Sequence, residues 1–221
     1  ANVCAADLLM RHKQPALYRI HAGPTEEKLE NLRAFLKTVG LTLGGGNTPQ
    51  AADYAELMNR IKPRPDAELL QTMMLRSMQQ AVYSPDNIGH FGLSYEAYAH
   101  FTSPIRRYAD LIVHRSLVGA HGLGPDTEKT ALTGGEAGAM EQIGQSISQL
   151  ERRAMEAERE TVDRYVAAYL SERVGQVLET RITGVQAFGF FATVEGLGGD
   201  GLVPVSTLGQ EYFRYDEASQ S

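Results

Sequence analysis

The chain has 221 residues, of which 43% are hydrophobic, and its formal net charge is −6. This length allows one large domain and a small one, and the lack of any apolar run near about 18 residues excludes a membrane-spanning helix. An acidic total opposes nucleic-acid binding over the whole surface, so a site for a polyanion must be a locally basic groove.

The first predicted element is an alanine-rich helix from Ala1 to about Lys13. Its start lacks a capping residue, which suggests that the chain was cut from a longer polypeptide. The helix contains Cys4, the only cysteine, which excludes an internal disulfide and favours a reducing compartment. Because no signal-peptide pattern opens the chain, we predict a cytoplasmic location.

Extended and helical segments follow up to residue 83. Residues 17–21 are predicted to be extended, and Thr25 is predicted to cap a helix that ends at Gly40. Two further helices are predicted at about 49–61 and 65–83.

The run 100–110, HFTSPIRRYAD, combines a predicted helix start with two arginines. Ser103 is a favourable N-cap, and Pro104 suits the first helical position, where a missing N–H costs nothing. The N-terminus of a helix attracts anions, and Arg106 adds a guanidinium in the first turn, with Asp110 placed to steady it. This pattern indicates a phosphate site; the alternative is an ordinary amphipathic helix with a solvated charged face.

This run and its flanks resemble the signature of the ribonuclease II / ribonuclease R family. The matching segments are HFGL at 90–93, YAHFTSPIRRY at 98–108, DL at 110–111 and HR at 114–115. Segments at 18–21, 53–57 and 64–78 are similar to the ribonuclease R branch in particular. The resemblance covers nearly the whole chain, and its central motif is highly specific.

The resemblance implies that residues 1–172 are the C-terminal part of an RNB-type catalytic domain. The implied enzyme is a processive 3′→5′ exoribonuclease that hydrolyses single-stranded RNA to nucleoside 5′-monophosphates. Arg106 matches the family arginine that contacts the scissile phosphate, which makes it the candidate catalytic residue. Candidate contacts to the RNA backbone, or supports of the loop, are Arg107, His100, Thr102 and Ser103. Glu158 resembles a family glutamate near the RNA path, and a solvated helix glutamate is the alternative.

Beyond the signature, residues 122–135 are predicted to form a surface loop, and about 136–171 a long amphipathic helix. The pattern then changes to short strands at 177–182, 188–194 and 201–205. This segment resembles an OB-fold RNA-binding repeat, which implies a second domain over 173–221. Because three strands fall short of the five of an OB-fold, we expect that domain to be incomplete. The predicted class is therefore α+β, mainly helical, with a partial OB-fold barrel.

The same resemblance implies that Phe188 and Phe191 are the pair on which bases stack, worth about 1–3 kcal/mol per base. The alternative is that Phe190 and a neighbour fill the barrel core. Strand alternation places Phe188 and Phe190 on one face unless Gly189 introduces a bulge. Pro204 stands at a position that is basic in the family motif, which weakens the prediction of RNA binding.

A nuclease of this kind needs clustered carboxylates to hold Mg²⁺ and to activate a water. The resemblance places these aspartates upstream of this segment, and the sequence contains no comparable cluster. We therefore assign no metal ligand and predict that this chain alone does not hydrolyse RNA. The predicted partner is single-stranded RNA, and no membrane association is predicted. The metal-binding aspartates would belong to a monomeric parent protein or to a companion fragment.

Two functions from different classes remain open at this point. The chain is either part of an exoribonuclease or part of a catalytically inactive RNA-binding relative. The intact Arg106 motif favours the exoribonuclease, because an inactive channel does not need an arginine that stabilises a transition state.

Overall fold

The computed structural model describes residues 1–209 and Tyr215. The helices are α1 (Asn2–Arg11), α2 (Glu26–Thr38), α3 (Ala51–Ile61), α4 (Ala67–Ser77), α5 (Tyr108–His121), α6 (Thr127–Thr130), α7 (Gly134–Gly138) and α8 (Met140–Ser171). The strands are β1 (Tyr18–Ile20), β2 (Val82–Ser84), β3 (Thr180–Gln186), β4 (Gly189–Val194) and β5 (Asp200–Pro204). The mixed α+β class is confirmed, with helices predominating. Within the described residues, no helix has both the length and the apolar character needed to cross a membrane.

The described residues divide into two compact units. Unit 1 comprises Ala1–Asn31 and Leu43–Arg152, and unit 2 comprises Leu32–Thr42 together with the described residues from Arg153 onward. The predicted domain limit at 172/173 remains a prediction. Residues 210–214 and 216–221 of the predicted second domain lie outside the part of the chain that the structure describes.

Unit 1 contains an antiparallel pair of strands, β1 and β2, with Arg19 opposite Tyr83. The prediction of one helix over 65–83 is wrong at its end, because α4 stops at Ser77 and Val82–Ser84 form β2. β-Branched and aromatic residues suit a strand, and pairing with β1 satisfies backbone groups that a helix would otherwise satisfy internally. The Arg19 N–H also donates to Tyr98 O at 2.8 Å, so the segment before the arginine-rich run lies beside β1.

Two hydrophobic clusters of unit 1 include α5, which buries two of its sides. One side packs against α1 through Val113, Leu117 and the α1 residues Ala6 and Leu9. A second cluster joins Ile112 to Leu17 and to Met140 at the start of α8. Because both clusters hold α5, its N-terminal end has a fixed place within the unit.

The first turns of α8 lie directly against β2. Ser148 Oγ accepts the Tyr83 N–H at 2.9 Å and donates to Gly144 O at 2.8 Å. A Cβ atom at Gly144 would lie 2.7 Å from Tyr83 O, so only glycine allows this approach. The glycine and the serine together bring the α8 backbone to the strand that carries Tyr83.

Unit 2 contains a three-stranded antiparallel sheet in the order β3-β4-β5. The strands agree with the three predicted from the sequence to within a few residues, and a register shift occurs between Ile182 and Gly184. The β4–β5 turn packs on α8, since a Cβ at Gly199 would lie 2.7 Å from the side chains of Val166 and Leu170. The described strands do not close into a barrel, and the OB-fold remains a prediction.

Candidate functional site

The two arginines 106 and 107 belong to a tight turn and not to a helix. Ser103 O accepts the backbone N–H groups of Arg106 at 3.2 Å and Arg107 at 3.1 Å, and α5 begins only at Tyr108. Arg107 is the N-cap and is extended, with φ −126° and ψ 118°. The predicted helix start, with Ser103 as N-cap and Pro104 at the first helical position, is therefore wrong. We call residues 103–107 the arginine turn.

Asp110 binds both ends of the arginine turn. Its Oδ1 accepts the Ser103 N–H at 2.7 Å and the Arg107 Nη2–H at 2.9 Å, and its Oδ2 lies 2.8 Å from Arg107 Nε. The carboxylate is completely buried, with 0% exposure. The expectation that Asp110 pairs with Arg106 is wrong, because α5 starts four residues later than predicted and Arg106 does not share its face.

Arg106 is exposed at the tip of the turn. Among the residues that the structure describes, none forms an ion pair or hydrogen bond with its guanidinium. Thr102 is also exposed, and Ser103 is partly buried. The Arg106 fork is therefore available to an anion, which is the chemistry that the sequence predicted for it.

The other arginines of this stretch are already neutralised. Arg107 is paired with Asp110, and Arg115 forms a bidentate ion pair with Glu136, one of whose contacts is 2.8 Å long. The Arg115 guanidinium, with hydrogen bonds from Thr133, lowers the pKa of Glu136 to about 2. Within residues 106–115, Arg106 is thus the one arginine without a carboxylate partner among the described residues.

A second set of contacts holds the segment that leads into the turn. His114 on α5 donates from Nε2 to Phe101 O at 2.8 Å, and the two rings stack with centroids 4.3 Å apart. The Phe101 N–H donates to Asn2 Oδ1 at 3.1 Å, and Asn2 Nδ2 donates to Tyr98 Oη at 2.9 Å. Residues 98–101 are therefore fixed by both α1 and α5.

His100 belongs to a partly buried network behind the turn. Its Nδ1 lies 2.8 Å from Tyr83 Oη, and the Arg19 guanidinium lies 4.5 Å from the centre of the Tyr83 ring and 2.7 Å from Glu151. Burial, with the positive charges of Arg107 and Arg19, lowers the pKa of His100 to about 4. A neutral histidine here suits support of the loop better than attraction of a phosphate.

The local sequence does not predict that Arg19, Tyr83 and Glu151 belong to this network. Arg19 and Glu151 are 132 residues apart, so no local spacing connects them. The one local signal is that Val82 and Tyr83 favour a strand, although the sequence analysis placed both in a predicted helix over 65–83.

In unit 2 the structure brings together the two phenylalanines expected to stack on bases. The ring centroids of Phe188 and Phe191 are 6.3 Å apart, and the ring planes are nearly perpendicular. Phe188 is 55% exposed and Phe191 is 38% exposed. Gly189 between them has φ +150°, and a Cβ there would lie 2.3 Å from Val203 O. This backbone turn places both rings at the surface. Glu158 is exposed on α8.

Among the residues that the structure describes, the carboxylates and histidines do not fit a metal centre on their own. Within the described part of the chain, no group of three or more His, Cys, Asp or Glu side chains could hold a metal ion. Asp110 on α5 and Glu136 on α7 are both paired with arginines.

Comparison with known proteins gives consistent results. A family described as the RNB domain matches residues 1–121. Ribonuclease R of Escherichia coli (strain K12) is 47% identical over an alignment of 225 positions, which covers 100% of this chain and 28% of that protein. The structure of Mycoplasma genitalium RNase R in complex with ribose-methylated single-stranded RNA matches with a TM-score of 0.86 at 28% identity, over 99% of this chain and 34% of that one.

A more distant match concerns the fold alone. The structure of yeast Ssd1, a pseudonuclease, matches with a TM-score of 0.62 at 21% identity, over 92% of this chain and 25% of that chain. In all three comparisons the chain spans about a third or less of the protein that it matches.

Proposed function

Because this chain belongs to the RNB-domain family of the ribonuclease II / ribonuclease R type, we propose that it acts as a segment of a hydrolytic 3′→5′ exoribonuclease. The proposed substrate is single-stranded RNA, degraded processively to nucleoside 5′-monophosphates. Unit 1 contributes a phosphate-binding arginine, and unit 2 contributes aromatic rings that bind RNA. A cytoplasmic, monomeric parent protein remains our prediction.

The observation that carries the proposal is that Arg106 is exposed, and without a partner among the described residues, at the tip of a turn whose two ends are held by one buried carboxylate. Hydrolysis of a phosphodiester places additional negative charge on the phosphate oxygens in the transition state. A guanidinium near the phosphate stabilises that charge because it is cationic and presents a planar pair of donors. A turn anchored at both ends keeps the arginine in place without a reorganisation cost at the moment of reaction.

The proposal includes Mg²⁺ as the cation that activates the attacking water. The described residues do not supply a ligand set for it, so we assign its aspartates to the remainder of the parent protein or to a companion fragment. It follows that this chain alone is inactive as a nuclease.

The second candidate function is an RNA-binding protein without nuclease activity. We keep this candidate because the chain is similar in fold to Ssd1, a pseudonuclease. In such a protein the aromatic rings and the arginine would bind RNA without cleavage.

Digestion of 5′-labelled single-stranded RNA separates the two candidates. The full-length protein that contains this segment is incubated with Mg²⁺ or with EDTA, and this chain alone is the parallel sample. We expect the 5′-labelled RNA to be shortened only by the full-length protein with Mg²⁺. RNA binding by the full-length protein without any Mg²⁺-dependent shortening would instead establish the inactive relative.

The role of Arg106 is tested with Arg106→Ala in the full-length protein. We expect kcat to fall on the order of 10²–10³, because one donor to the developing charge is lost. The free energy of unfolding should change by less than about 0.5 kcal/mol, since the side chain is exposed. Arg76→Ala, at an exposed arginine of α4, is the matched control and should leave kcat unchanged. An Arg106→Ala protein with normal turnover would rule out the role.

A further inference from the structure

We infer that Asp110 is a positioning residue, which holds Arg106 in the orientation that binds the scissile phosphate by fixing the arginine turn. The inference rests on the proposed function of Arg106. Asp110 does not contact Arg106; it acts through Ser103 and Arg107, which are the two ends of the turn.

The first argument is how the Asp110 carboxylate is used. Asp110 is the third residue of α5, where an acidic side chain commonly accepts the N–H of the N-cap residue. Here α5 has no side-chain cap, and Asp110 instead accepts the N–H of Ser103, four residues before the N-cap, and the side chain of Arg107. The carboxylate is therefore committed to closing the turn and not to capping the helix.

The second argument is the cost of the arrangement. Asp110 is fully buried as one half of an ion pair whose other half is 23% exposed, and burying a charge carries a desolvation penalty that an apolar pair of the same volume would avoid. Packing alone therefore does not account for this pair. What the pair provides is geometry: with both ends held, the backbone of Arg106 cannot move independently of α5.

The third argument is that the attachment is repeated on the same helix. His114, one turn after Asp110, binds Phe101 O and stacks on the Phe101 ring, so the segment that enters the turn is held by α5 as well. Two turns of one buried helix thus hold the loop on both sides of Ser103. Because the backbone that carries Arg106 is supported in this way, only the arginine side chain has to be ordered when it binds phosphate.

The test is a double-mutant cycle in the full-length protein, with kcat and KM measured on single-stranded RNA. Asp110→Asn keeps the size and one oxygen acceptor but removes the charge that holds Arg107. We expect kcat to fall about 10- to 100-fold with a smaller change in KM, because a small displacement of a catalytic group has an effect of this size. In the Arg106→Ala background the same change should lower kcat by less than about threefold, because there is no arginine left to position.

Glu136→Gln is the matched control. It removes the other arginine–carboxylate pair of α5, two turns further along, and should leave kcat within about twofold of wild type although it also weakens an ion pair. Amide hydrogen exchange adds a readout that does not depend on activity. Exchange in residues 103–107 should accelerate in Asp110→Asn and remain unchanged in Glu136→Gln.

Two outcomes would overturn the inference. One is an Asp110→Asn protein with normal kcat, and the other is a fall in kcat of the same factor with and without Arg106, which a purely structural role would give. If Asp110→Asn does not fold, Arg107→Lys, which keeps the charge but loses the fork, enters the same cycle with the same expectation. A normal kcat in Arg106→Ala would refute the proposed function itself, which distinguishes the two failures.

Discussion

Arg106 and Arg107 are neighbours in the chain and differ in what surrounds them. The Arg107 guanidinium is 23% exposed and lies against the buried carboxylate of Asp110, whereas Arg106 is exposed and has no partner among the described residues. Residue type alone does not distinguish them, since both are always protonated. The difference arises because the chain turns between them, and this is why one arginine is proposed to bind phosphate and the other to hold the loop.

At the same scale, His100 should make stability depend on pH. Its pKa is about 4 in the folded protein and 6.5 ordinarily, so between these values the unfolded chain binds a proton that the folded chain does not. The free energy of unfolding is therefore unaffected above pH 6.5 and falls as the pH drops from about 6.5 to about 4, by about 1 kcal/mol because solvent screens a half-buried group.

Urea unfolding at several pH values between about 7 and 4 measures this effect. In His100→Gln the side chain no longer titrates, so the decline through this window should be smaller than in wild type. Titration of carboxylates elsewhere is common to both proteins and cancels in the difference. Identical pH profiles would show that His100 does not carry the effect.

At the scale of elements, the helices with local start and stop signals agree with the prediction. The prediction of a helix between Thr25 and Gly40 is confirmed by α2, which ends before Gly40 at φ +72°. The errors fall at the end of α4 and the start of α5, where a partner distant in sequence competes with the helix. Strand β1 pairs with residues 82–84, and Asp110 accepts a hydrogen bond from the turn that precedes Tyr108.

Gly144→Ala tests the contact between α8 and β2. Alanine favours a helix over glycine by about 1 kcal/mol, but its Cβ would lie 2.7 Å from the backbone oxygen of Tyr83. Because backbone cannot move aside as a flexible side chain can, we expect a net loss of about 1–3 kcal/mol in the free energy of unfolding.

Gly138→Ala in α7 is the matched control, because nothing lies within 4 Å of a Cβ there. It should be neutral or slightly stabilising. The free energy of unfolding of both variants is measured by urea unfolding. Equal stability of Gly144→Ala and wild type would contradict the close approach of Gly144 to Tyr83 O.

At the scale of the whole molecule, the net charge of −6 limits how RNA can be bound. In the stretch 106–115, two of the three arginines are paired with carboxylates, which leaves little free positive charge for phosphates. We therefore propose that a large share of what this segment contributes to RNA affinity comes from stacking on exposed aromatic rings, which depends little on salt.

Binding of single-stranded RNA by the full-length protein, measured over a range of salt concentrations, checks this division. Phe188→Ala and Phe191→Ala should each weaken binding by about 1–3 kcal/mol and leave the salt dependence unchanged. Arg106→Ala should instead reduce the slope of log K against log salt by about 0.7, the value for one phosphate contact on a single strand.

Val177→Ala is the control for loss of an exposed apolar side chain, since Val177 is 100% exposed in the same unit as the two phenylalanines. It should not change the affinity. If Phe188→Ala and Phe191→Ala behave like this control, the stacking role is excluded and the two rings are surface residues without a part in RNA binding.

The sequence by itself determined the family, the α+β class, the helix α2, the three strands of unit 2, the absence of an internal disulfide and the choice of Arg106 as a candidate. These features depend on residues close together in the chain: caps, periodic apolar positions and a continuous motif. Only the tertiary structure decided that Arg107 is bound to Asp110, that His100 meets Tyr83, and that Gly144 touches β2. Tyr83 and Ser148 are 65 residues apart, and contacts over such distances arise from packing, which local propensity does not contain.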